Sequence, residues 1–94
     1  KSTEELLVGD WYEEGSYAYQ PDFQIYDDGT CKITGTYGEG KWAIVNKDQL
    51  KITDFYGEVY VLDIESVDKD CLQIRRSQSE VVSYYHTREE AAKH

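Results

Sequence analysis

The sequence predicts an all-β domain whose eight antiparallel strands run as an up-and-down meander and close into a small barrel. Three observations predict it. Turn signals recur about 8–13 residues apart, the spacing of sandwiches and barrels. The stretches between them alternate apolar and polar residues with a period of two. Helix-forming sequence is confined to the two ends, so no helix is available to cover an apolar sheet face, and the sheet must cover itself. Closure also removes the exposed edges, and eight strands enclose an interior just wide enough to fill or to hold one small ligand. Ninety-four residues make one domain spanning 1–94.

The chain opens on a helical signal. Ser2-Thr3-Glu4-Glu5 reads as a capping box, and Leu6 and Leu7 complete a helical plug over residues 1–8. The inward positions are then every second residue: Trp11 and Glu13; Tyr17, Tyr19, Phe23 and Ile25; Cys31, Ile33 and Tyr37; Trp42 and Ile44. They continue as Leu50, Ile52 and Asp54; Tyr60, Leu62 and Ile64; Leu72, Ile74 and Arg76; Val82, Tyr84 and His86. Lys32, Thr34, Thr36, Lys51, Thr53, Asp63, Gln73 and Arg75 fall on the opposite, solvated face. Turns sit at Glu14-Gly15-Ser16, Asp27-Asp28-Gly29-Thr30, Gly38-Glu39-Gly40, Asn46-Lys47-Asp48, Tyr56-Gly57-Glu58, Asp68-Lys69-Asp70 and Ser77-Gln78-Ser79. Asp-Gly suits such hairpins because both residues tolerate positive φ. At the far end Arg88–Lys93 has helix propensity but no apolar face, so residues 89–94 are expected to fray.

Charge and composition narrow the function. Ten basic against nineteen acidic residues leave a formal charge of −9, which repels phosphate backbones and anionic lipid. Nucleic acid is therefore not an expected partner. No apolar run approaches the ~20 residues of a membrane span, so no membrane insertion is expected. Thirteen aromatic residues, nine of them tyrosine, are too many for a disordered chain. The chain opens on Lys1 rather than methionine, which reads as a segment excised or processed from a longer product. Lys93-His94 carries no functional weight.

The opening Leu7-Val8-Gly9-Asp10-Trp11, a short capped helix leading into Gly-x-Trp, resembles the start of the lipocalins. Five further segments are similar to the small bacterial lipocalin-like domains: Phe23-x-Ile25, Asp28-Gly29-Thr30, Gly40-Lys41-Trp42-Ala43-Ile44, Gln49-Leu50-Lys51-Ile52 and Asp70-Cys71-Leu72-Gln73-Ile74. The resemblance covers nearly the whole chain through short motifs. It implies a lipocalin-type barrel, a binding rather than catalytic role, and a secreted or cell-envelope location. It also implies structural roles for Gly9, Trp11 and Arg88. In lipocalins an arginine near the end of the last strand packs on the first-strand tryptophan, and Arg88 matches that place. Such a cation–π contact is worth ~0.5–2 kcal/mol.

No catalytic constellation stands out. His86 is the one plausible base beside His94, and no His/Cys pair stands at zinc spacing. Asp27-Asp28-Gly29 lacks the alternating ligands of a calcium loop and reads as a hairpin turn. No enzyme activity, metal or cofactor is therefore expected. Cys31 shares a face with Ile33, whereas Cys71 precedes inward Leu72 and points outward on a non-adjacent strand. Two free thiols are expected, because bridging needs converging side chains with Cα atoms within ~7 Å.

Two functions remain. One is a binding module holding a small apolar or aromatic ligand at the barrel mouth. The other is a protein-interaction or inhibitor domain with a packed barrel, whose acidic surface meets a basic protein partner. For the first, strand direction places Glu13, Tyr17, Tyr19, Tyr37, Trp42, Asp54, Tyr60 and Arg76 at the upper mouth. Ile25, Cys31, Ile33, Ile44, Leu50, Ile52, Ile64 and Leu72 go to the lower end. Aromatic walls with a few charges are the usual makeup of a small-molecule pocket, and Arg76 is the expected anchor for an anionic group.

Overall fold

The computed structural model describes residues 2–15 and 18–93. Eight strands run β1 (Gly9–Glu13), β2 (Phe23–Ile25), β3 (Thr30–Ile33), β4 (Gly40–Val45), β5 (Gln49–Thr53), β6 (Val59–Val67), β7 (Cys71–Arg75) and β8 (Val81–Tyr85). Each pairs antiparallel with the next, and β8 returns to β1 through Tyr12↔Tyr85 and Glu13↔Tyr84. The sheet is a closed up-and-down barrel, as the turn spacing predicts.

The alternation sets which side chains go inside. Trp11, Ile25, Cys31, Leu50, Leu72 and Ile74 are buried, with Phe23, Ile52, Val82 and Tyr84 nearly so. Trp42, Ile44, Leu62 and Ile64 pack against them half-buried. A register shift in β6 between Ile64 and Ser66 interrupts the ladder and lets that long strand bend around the barrel. Both cysteines are free, Cys31 deep in the core and Cys71 half-buried on the outer face. Burial pushes both thiols above their ordinary range.

The lower end is sealed by the N-terminal helix. Helix α1 (Thr3–Leu7) carries the expected capping box: the Glu5 amide donates to the Ser2 hydroxyl while the Glu5 carboxylate accepts from the Ser2 amide. Leu7 is fully buried, and its carbonyl accepts the Trp11 indole N–H at 2.8 Å. The plug and the barrel floor are thus one hydrogen-bonded unit.

Residues 88–92 form a short helix, α2 (Arg88–Ala92), in which small Ala91 is completely buried and its carbonyl accepts from the Gly15 amide at 2.8 Å. The Thr87 side chain caps its first turn. One expectation at this end is corrected. Arg88 does not meet Trp11. That ring is covered by His86, with centroids 3.9 Å apart, and His86 Nδ1 donates to the Asp10 carbonyl at 3.0 Å. Arg88 lies instead over the Tyr19 ring at 4.4 Å, because the chain turns out of the barrel after Tyr85. Gly9 serves the same floor. Its φ is +134°, and a Cβ there would lie 2.9 Å from the His86 ring.

Candidate functional site

The upper ends of β2, β3, β5, β6 and β8 leave a cavity of about 470 Å³ open at the barrel mouth. Its wall is apolar: Phe23, Ile33, Ile52, Leu62, and the rings of Tyr60 and Tyr84. Phe23 and Tyr84 meet edge to face at 5.1 Å, which fixes the orientation of both rings. Thr36, Asp54, Tyr56 and Arg76 supply polar atoms at the rim.

The polar groups are held by definable interactions. Arg76, the residue after β7, donates from Nη2 to Glu13 Oε1 at 3.0 Å and to the Tyr84 hydroxyl at 2.9 Å. The Tyr84 bond spans two neighbouring strands. Burial pushes the Tyr84 phenol up, with the guanidinium opposing. The same bond keeps Arg76 firmly protonated. Glu13 closes β1, where its amide donates to Asp22 at 2.7 Å. Asp54 follows β5, and its Oδ1 accepts from the amides of Tyr56 and Glu58, so it closes the β5–β6 turn. Thr36 donates into its own loop, to the Ile33 carbonyl at 2.8 Å.

Of the eight residues placed at the mouth by strand direction, the structure brings Asp54, Tyr60 and Arg76 to the cavity wall, with Glu13 joined to them through Arg76. Tyr17 lies outside the described residues. Tyr19 and Tyr37 point to solvent, at 84% and 89% exposure. Both stand in loops rather than strands, so alternation does not govern them. Trp42 faces inward but at the opposite end. Its amide donates to the Gly29 carbonyl and its indole N–H to the Tyr26 carbonyl at 2.8 Å, beside Val8 of the lower seal. The reason is stagger. Cys31 pairs with Gly40, so β4 starts level with the beginning of β3, not with its end. The grouping of five aromatic residues at one mouth is corrected accordingly.

Ile33 and Ile52 move the other way, from the expected lower set to the mouth. β3 stops at Ile33 and β5 at Thr53, so both isoleucines are late in upward strands. Gly35, with φ +101°, and the Asp54 turn mark those ends and are the signals that place them. Tyr84 is legible from alternation as inward but not as a mouth residue. Its position follows from pairing opposite Glu13 across the closure.

Among the described residues, no group of three or more His, Cys, Asp or Glu side chains is arranged to hold a metal ion. No described helix is long and apolar enough to cross a membrane. No family model, curated protein or solved structure matches the chain.

Proposed function

We propose that the protein is a non-catalytic, lipocalin-like binding module that seats a small apolar or aromatic ligand in the barrel mouth. One observation carries the reading: a 470 Å³ opening walled by Phe23, Ile33, Ile52, Leu62, Tyr60 and Tyr84 above a core of buried side chains. Small-molecule sites of ~300–1,000 Å³ have this makeup, mostly apolar with a few placed polar groups. Folding alone gains nothing from leaving such apolar surface open at one end while sealing the other with a dedicated helix. The binding reading accounts for the asymmetry, and a solidly packed interaction domain does not.

The test uses N-phenyl-1-naphthylamine, a neutral apolar dye that brightens on leaving water, with Leu62→Trp to fill the cavity. The expected result is dye binding by the wild type, lost in the variant while circular dichroism and the thermal transition persist. Dye binding that survives filling of the mouth, or no binding at all, overturns the reading. Native mass spectrometry of the freshly purified domain adds a direct search for a retained ligand.

A further inference from the structure

We infer that the mouth selects organic anions, and that Glu13 is a built-in competitor whose carboxylate engages the same Arg76 guanidinium that takes the ligand's anionic group. The inference rests on the binding reading above and specifies its ligand class and its control. Three observations carry it, two of them at the rim.

The first is unused donor capacity. A guanidinium offers five N–H groups in a planar fork. Among the described residues both contacts of Arg76 use Nη2, and neither Nη1 nor Nε bonds to any of them at the rim of the cavity. The Tyr84 hydroxyl accepts from Arg76, and its own proton goes to none of the described residues. Two donor groups therefore converge on one apolar opening, each with capacity left over. Such convergence suits a carboxylate or sulfonate carried on an apolar body, because fork-like donors match planar oxyanions.

The second is the state of the acids nearby. Asp54 Oδ1 is engaged by two backbone amides of its own turn, where it fixes the loop. Glu13 is different. It reaches Arg76 through a single oxygen at 3.0 Å, and the two side chains are 40% and 45% exposed. An ion pair so open to water contributes little, so releasing Glu13 lowers ligand affinity by at most about fivefold. A guest that also buries apolar surface outcompetes it. Glu13 can then turn to solvent without leaving a buried charge behind.

The third concerns the net charge of −9, which does not forbid an anionic guest. Charges are screened beyond ~8 Å at physiological ionic strength, so contacts at the rim govern the bound state.

The experiment compares 1-anilinonaphthalene-8-sulfonate with N-phenyl-1-naphthylamine, which shares its ring system and lacks the sulfonate. The wild type should bind the sulfonate about tenfold more tightly. Glu13→Gln should tighten sulfonate binding about three- to fivefold and leave the neutral dye unchanged. Arg76→Leu should weaken the sulfonate tenfold or more, and Tyr84→Phe should weaken it severalfold, again sparing the neutral dye. Equal affinities for the two dyes, or indifference of the sulfonate to Glu13→Gln, overturn the anion selection while leaving the cavity reading standing. Failure of both dyes to bind overturns the two together.

Discussion

The two ends of this barrel are made by the same strands and behave as different materials. At the lower end Trp11, Leu7, Leu50 and Leu72 have no exposed surface, and the terminal helix is tied to the first strand by an indole hydrogen bond. At the upper end, Tyr60 is 46% exposed, and the rim charges pair in water. The lower end is organised to exclude solvent, the upper to meet it. The difference teaches where substitutions should cost stability and where they should alter binding instead.

The sharpest break is a matched pair of truncations. Trp11→Ala removes a fully buried ring, the indole donor to Leu7 and the platform under His86. It should cost ~3–5 kcal/mol, read as a large fall in the urea midpoint. Tyr60→Ala removes an aromatic side chain from the mouth and should cost less than ~1 kcal/mol, because much of that ring is already in water. Equal losses at the two sites would erase the distinction.

A smaller effect comes from the turns of the lower half. Hydrogen bonding from the Thr30 side chain and amide holds the Asp28 carboxyl below its ordinary range. The Asp70 and Cys71 amides do the same for Asp68. A depressed folded-state value means that these contributions are complete above the unfolded carboxylate range, near pH ~4, and are lost as pH falls through the folded value. Both groups face water, so the loss is modest. Denaturation midpoints of Asp28→Asn and Asp68→Asn should start below the wild type at neutral pH and converge toward it on acidification. Parallel curves would show that the turns add nothing to the lower end.

Much of this contrast is legible in the sequence because it depends on period-two alternation, which is local. The pattern correctly separates buried Ile25, Cys31, Leu50, Leu72 and Ile74 from outward Lys51, Gln73 and Arg75. The capping box at Ser2 and Glu5 is equally local. The mouth is only partly legible, because height in a barrel depends on stagger between strands. Stagger is a property of pairing across loops, and it sets Trp42 against Gly29 and Tyr26 at the start of β3 instead of at the mouth. Arg88 and His86 illustrate the same limit. Both stand near the end of the last strand, and which one covers Trp11 depends on where the chain leaves the wall. Tyr19 and Tyr37 escape the pattern for a simpler reason, since alternation has no hold on loops.

The unequal seams between strands divide the wall mechanically. Five registered residue pairs join β4 to β5, β5 to β6 and β7 to β8. Only two pairs join β3 to β4 and two join β8 to β1. The cylinder is therefore a broad sheet of β4–β8 and a narrow flap of β1–β3, joined at both margins by the fewest registered pairs. Partial unfolding follows such weak margins, so hydrogen exchange should be faster for amides of the flap than for those of β5–β7. Uniform exchange around the barrel would refute the division. Phe23 and Ile33 ride on the flap, facing Ile52 and Leu62 on the sheet. A bulky guest would thus press against the panel that yields at the lowest cost.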